Sequence, residues 1–245
     1  MTGTGGKTMS DRRDRLYAEP LADVEAFVFD DKVAAVFPDM IRRSVPGYGT
    51  VIALTGVIAA RYYQPGSRIY DLGCSQGAST LSIARQLGQP ATIHAIDSSQ
   101  AMLDLCHAHD YPASVDVTFT CADMRDVTLE EASVVVLNYT LQFIPLSERD
   151  SMIRHIAQGM MPGGVLILSE KLAMPDDLFT GLHHAFKQAN GYSELEVSQK
   201  RTALENILVP ETARAHVDRL QQAGFGRVEQ WFHCLGFSSF IAIRN

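Results

Sequence analysis

Cysteine, tryptophan and surplus positive charge are all scarce in this chain of 245 residues. The four cysteines, Cys74, Cys106, Cys121 and Cys234, form no C-x-x-C pair, and their spacing suits neither a zinc knuckle nor a disulfide scaffold. Free thiols without a secretory leader predict a reducing, cytoplasmic setting. No uninterrupted apolar run reaches the roughly 18 residues that a membrane-spanning helix needs, so no membrane anchor is expected. Lys and Arg total 21 against 28 Asp and Glu, a net charge of −7. A chain with this balance lacks the basic excess that neutralises phosphates, and direct nucleic-acid binding is not expected. His107 with His109 and His183 with His184 lack a carboxylate at a useful offset, and neighbouring helical positions point apart, so no metal site is predicted.

What is present is an ordinary globular composition, 46% hydrophobic and 20% charged. Residues 1–10 are nearly devoid of apolar side chains and read as a disordered tail. Residues 11–245 read as a single α/β domain. Segment 11–45 has no clean periodicity and is punctuated by Asp30-Asp31 and Pro38. Beyond Pro46-Gly47, Val51, Leu54, Ile58 and Tyr62 recur at helical spacing and predict a helix over 48–63. Strands are predicted over 69–72, 91–97, 115–121, 133–138 and 165–169. Helices are predicted over 78–87, 98–109 (with Ser98 or Ser99 as N-cap), 147–161 and 210–223. Pro162-Gly163-Gly164 reads as a turn. A mostly helical insert spans about 175–207, interrupted at Asn190-Gly191. Residues 228–235 and 238–243 flank Gly236 as a hairpin. Strands alternating with helices require parallel pairing. The predicted fold is therefore a doubly wound, mostly parallel seven-stranded sheet with an antiparallel C-terminal hairpin.

In such sheets ligands bind beyond the carboxyl ends of the strands. Gly73-Cys74-Ser75-Gln76-Gly77 is a glycine turn at such an end, and Asp97 follows Gly77 by 20 residues at the end of the next strand. A carboxylate there can accept both hydroxyls of a ribose. Three ligands compete. A dinucleotide wants glycine where Ser75 stands. A hydrolase elbow, G-x-S-x-G, fits Ser75 but needs an oxyanion loop and a base, for which only His216 or His233 can be imagined. S-adenosylmethionine (SAM) has a ribose and no phosphate, so it tolerates Ser75 and fits best. Asp123 can accept from an adenine amino group with Met124 beside the ring, or serve merely as a loop cap. Asn138 ends an apolar run, and its amide needs partners that a ligand cleft offers. No histidine lies where it would act as a base.

These residues resemble the class I SAM-dependent methyltransferases, through Tyr70-Asp-Leu-Gly-Cys-Ser-Gln-Gly77, Asp97, Asp123 and the segment 161–170. A more specific resemblance runs through Val36-Phe-Pro-Asp-Met-Ile41, Arg43-Ser-Val-Pro-Gly-Tyr48, Val135-Val-Leu-Asn-Tyr-Thr-Leu-Gln-Phe143 and Ala189-Asn-Gly-Tyr-Ser-Glu-Leu-Glu-Val-Ser-Gln-Lys-Arg201. Those segments are similar to the carboxy-S-adenosyl-L-methionine synthases. The resemblance implies conversion of SAM and prephenate to carboxy-SAM and phenylpyruvate, a homodimer, and a partner enzyme that uses carboxy-SAM to carboxymethylate tRNA wobble uridine. It places Tyr48, Gly73, Cys74, Ser75, Asp97, Ser98, Asp123, Met124, Asn138 and Arg201 at the ligand. The resemblance further implies that Arg201 comes from the neighbouring subunit as the catalytic residue, holding the new carboxylate. By its sequence neighbours alone, Lys200-Arg201 reads instead as a solvated helix face partnered by Glu194, Glu196 and Glu205. Ordinary methyl transfer to a small molecule or tRNA base, and a non-catalytic SAM-binding subunit, are the alternatives.

Overall fold

A computed structural model describes residues 12–245; the tail predicted over 1–10 lies outside them. Seven strands form one sheet: β1 (Arg68–Leu72), β2 (Ala91–Asp97), β3 (Val115–Cys121), β4 (Ala132–Asn138), β5 (Met160–Lys171), β6 (Phe225–Cys234) and β7 (Phe237–Arg244). Their order is β3-β2-β1-β4-β5-β7-β6. The first five pair in parallel, and β7 runs antiparallel between β5 and β6. The predicted fold class is thus observed.

Strand β4 shows why the sheet is covered on both faces. Val134 and Val136 pack with Ala59, Ile83 and Leu87. Those residues belong to helices α2 (Tyr48–Tyr62) and α3 (Ala78–Leu87). Val135 and Leu137 face the other way, against Ile153 and Ile156 of α5 (Leu146–Gly159) and Leu220 of α8 (Ala213–Gln222). Alternate side chains of a strand point to opposite faces, so a strand sandwiched between helices must be apolar throughout. Helix α4 (Gln100–Cys106) contributes Leu103 and Cys106 to a smaller cluster with Cys74 and Ala95.

Several boundaries differ from the sequence reading. Strand β5 runs through Pro162-Gly163-Gly164 rather than starting after a turn. The register slips opposite, between Ala132 and Val134. A Cβ on Gly164 would lie 2.9 Å from Met161 O and 3.0 Å from Ser133 O, so only glycine allows this close approach. Helix α4 is shorter than 98–109. Ser99, not Ser98, caps it, accepting from Met102 N, and i→i+3 bonds close the chain at Ala108 and His109. Helix α8 starts at Ala213 because Thr212 caps it while Glu211 bridges to Leu172 in extended form.

The largest departure is α1 (Asp31–Ser44), a helix in the segment that has no clean periodicity. Asp30 caps it by accepting from Val33 N at 2.9 Å. Pro38 lies inside it and has no N–H for Ala34 O, the acceptor four residues back. Gln76 Nε2 donates to that oxygen instead, at 2.6 Å. A long-range side chain thus replaces the missing backbone donor and ties α1 to the glycine turn. Between β5 and α8 lie α6 (Leu178–Ala189) and α7 (Glu194–Leu204), the predicted insert, broken at Asn190-Gly191. Ser193 and Glu196 form a capping box at the start of α7.

Candidate functional site

A cavity of about 430 Å³ opens at the carboxyl ends of the parallel strands, where the order turns from β1 to β4. Its size falls in the roughly 300–1,000 Å³ range of small-molecule sites. Tyr48, Gly73, Cys74, Ser75, Asp97, Ser98, Asp123, Met124 and Asn138 all line it; Arg201 does not.

The floor is the turn after β1. Gly73 N and Cys74 N both donate to Ile96 O, at 2.8 and 2.9 Å, which binds the turn to β2. Gly73 has φ of 75°, and a Cβ there would collide with the Thr140 side chain. Asp97 Oδ2 accepts from Ser75 N at 2.8 Å, and Oδ1 accepts from Ser99 N at 2.9 Å. A carboxylate has about four acceptor positions, so about two remain for ligand hydroxyls. Burial raises the pKa of Asp97, and the backbone donors of Ser99, Ser75 and Ser98 oppose that rise.

The other predicted residues have protein partners as well as a place in the lining. Asp123 caps the short 3-10 turn Met124–Asp126 and forms an ion pair with Arg125 at 2.5 Å. That guanidinium holds its pKa below the usual carboxylate value. Met124 is buried and packs into the main core while touching the cavity. Asn138 Nδ2 donates to Thr55 Oγ1 at 3.1 Å and Ser79 Oγ at 2.9 Å, and Oδ1 accepts from Ser169 Oγ at 2.7 Å. The partners that its half-buried amide requires are therefore neighbouring hydroxyls. Tyr48 is half-buried, and desolvation raises its pKa. Cys74 is buried; the Cys106 thiol beside it and its own burial raise its pKa, so it is no thiolate nucleophile. Ser98 is exposed at the cavity mouth.

A hydrolase elbow is ruled out by geometry. Ser75 Oγ meets Met102 Sδ at 3.4 Å. His216 is buried against Phe240, and His233 Nδ1 contacts Ser238 Oγ at 2.7 Å. His109 reaches the turn, its Nε2 lying 2.8 Å from Gln76 O, a contact to the backbone. His183 also lines the cavity, with Nε2 2.7 Å from Ser44 O. Burial first, then Lys187, lowers its pKa to about 3, so it is neutral. Among the described residues no group of three or more His, Cys, Asp or Glu could hold a metal ion.

The solvated reading of Lys200-Arg201 holds for Arg201 alone. Arg201 is exposed, whereas Lys200 is buried, 3.6 Å from Asp14 Oδ2 and 3.1 Å from Ser44 Oγ. Consecutive helical residues point about 100° apart, and Val197, Lys200 and Ala203 share the inward face. That spacing was the available signal for Lys200. Lys171 and Lys187 also line the cavity, and no pattern in the sequence singles them out. Phe27, Phe29 and Phe37 cover it from the N-terminal segment, with Phe29 packed edge-on to Phe37 and Phe143.

The geometry fits SAM: a carboxylate with spare acceptors at the end of β2, a glycine turn beneath it, and apolar walls for a base. The methyltransferase domain family matches residues 69–164. Among solved structures, an O-methyltransferase family protein from Burkholderia thailandensis is similar in fold, with a TM-score of 0.62 and 19% identity over 89% of this chain and 61% of that one. Magnesium protoporphyrin IX methyltransferase from Synechocystis, solved with bound SAH, has a TM-score of 0.58 and 17% identity over 84% of this chain and 87% of that one. Carboxy-S-adenosyl-L-methionine synthase of Trichlorobacter lovleyi is 53% identical over 244 residues, which cover 96% of this chain and all of the relative. That of Pasteurella multocida is 48% identical over 95% of this chain and 99% of its own length. The chain belongs to the carboxy-S-adenosyl-L-methionine synthase family.

Proposed function

We propose that the protein converts SAM and prephenate to carboxy-SAM and phenylpyruvate. Near-50% identity along almost the whole chain to the synthases carries this reading, and the cavity around Asp97 supports it. In the reaction, a methyl proton leaves the sulfonium carbon and the resulting ylide carbon forms a bond to carbon dioxide. Prephenate supplies that carbon dioxide by breaking the bond between its ring and its ring carboxylate. Aromatisation expels the ring hydroxyl as hydroxide, which takes up the methyl proton as water. Atoms and charge balance without a protein base or a metal.

Within this reading, Asp97 binds the ribose hydroxyls through its two spare acceptors. Asp123 takes the adenine amino group, with Met124 and Ser98 beside the base. Gly73, Cys74 and Ser75 line the amino-acid end, with Tyr48 and Asn138 across from them. The partner subunit's Arg201 holds the new carboxylate. A guanidinium matches a carboxylate with two parallel hydrogen bonds, and SAM itself offers no such group on its methyl. The exposed leucines Leu178 and Leu182, one turn apart on α6, support a homodimer through that helix face. The product then serves a tRNA-carboxymethylating enzyme in the cytoplasm, with residues 11–245 acting as one unit.

Mass spectrometry of the reaction with SAM and prephenate tests this. Carboxy-SAM and phenylpyruvate in equal amounts are expected. S-adenosylhomocysteine as the product would move the protein to ordinary methyl transfer, and no product at all would leave it a SAM-binding subunit.

A further inference from the structure

Three lysines from separate elements meet in one corner of the cavity: Lys171 at the end of β5, Lys187 on α6 and Lys200 on α7. Lys200 is answered by the buried carboxylate of Asp14. The ammonium groups of Lys171 and Lys187 have no ion pair or hydrogen bond among the described residues, although Lys187 is only 8% exposed. Among the described residues, the carboxylates that line the cavity are Asp97 and Asp123, both engaged at other strand ends. Two cations in a desolvated corner are costly until an anion joins them. Burial, then the charges of Lys200 and Lys171, pull the Lys187 ammonium down to about 7. Burial and then Arg201 lower Lys171 in the same way.

SAM does not supply the missing charge, because its sulfonium and ammonium outnumber its one carboxylate. The anion must be the second substrate. We propose that Lys187 and Lys171 hold the α-keto carboxylate of the dicarboxylate co-substrate and leave its ring carboxylate free to face the sulfonium methyl. This rests on the reaction proposed above. The choice between the two carboxylates follows from charge. The ring carboxylate becomes neutral as it departs, so a cation on it would stabilise the ground state more than the transition state. The α-keto carboxylate keeps its charge throughout and can be gripped without slowing the reaction.

Phenylpyruvate, which retains only that carboxylate, is the probe, titrated calorimetrically against SAM-loaded protein. Wild-type protein binds it. Lys187→Met and Lys171→Met, which preserve side-chain length and apolar volume, each weaken it about ten- to a hundredfold. They raise the KM for prephenate by the same factor, with SAM affinity unchanged, and Lys187→Arg retains most of the binding. Phenylpyruvate affinity unchanged in both methionine variants overturns the proposal. So does an equal loss of SAM affinity, which would assign the lysines to the methionyl carboxylate. Lysine-dependent phenylpyruvate binding in a protein that makes no carboxy-SAM would sink the proposed reaction while leaving the anion site standing.

Discussion

Gln76→Ala removes the donor that serves Ala34 O in place of the absent Pro38 N–H. Ala34 is 3% exposed, so water does not readily replace the carboxamide. A neutral hydrogen bond contributes about 0.5–1.5 kcal/mol, and a buried acceptor left without a partner costs about 1–3 kcal/mol. The expected loss is about 1–2 kcal/mol, or roughly 2–8 °C in Tm for a chain of this size. Pro38→Ala restores a backbone N–H that reaches Ala34 O along the helix. In that background Gln76→Ala has less to remove, and a double-mutant cycle in urea should give a coupling of about 1 kcal/mol. Helix α1 also carries Phe37, Met40 and Ile41 onto the cavity. The single variant should therefore weaken SAM binding, and Pro38→Ala should restore it. Equal losses from Gln76→Ala in both backgrounds would refute the repair.

Asp97→Ala should weaken SAM and carboxy-SAM alike, by about ten- to 150-fold for each charge-assisted bond to the ribose that is lost; calorimetric affinities at wild-type strength would remove Asp97 from the ribose. Arg201→Ala should cost carboxy-SAM about ten- to a hundredfold while sparing SAM, and equal losses in a competition assay would make the residue structural. His216 is buried, with neither ring nitrogen hydrogen-bonded among the described residues, and burial lowers its pKa from 6.5 to about 4. The unfolded chain takes up that proton near pH 6.5 and the folded chain only near pH 4. His216 thus makes stability fall as pH drops through this window, by at most about 1.4 kcal/mol per pH unit. His216→Leu should remove that part of the slope and raise stability at pH 5; urea midpoints at pH 7 and pH 5 that match the wild type would contradict it.

The alternating elements and the turn-plus-aspartate pair were legible because their signals are local. Strand β2 and helix α3 fall on their expected residues, since an apolar period and Gly88 at the helix end need no distant partner. Helix α1 was hidden because Pro38 argues against it, and the group that overrides Pro38 comes from a turn 38 residues later in the chain. The partners of Asn138 were misplaced for a similar reason: the need for hydrogen bonds is written at position 138, but Thr55, Ser79 and Ser169 converge on it only once the sheet forms.

By itself, the order of residues determined the secondary-structure alternation, hence the parallel sheet, and the spacing that puts a carboxylate one strand from the glycine turn. Those properties depend on backbone stereochemistry and side-chain periodicity over short distances. Only the tertiary structure decided that Lys171, Lys187 and Lys200 share one corner, and that of two adjacent residues Lys200 is enclosed while Arg201 faces solvent. Charge in a cavity is a matter of distance and desolvation, and both arise from segments that are far apart in sequence and brought together by the burial of the same core.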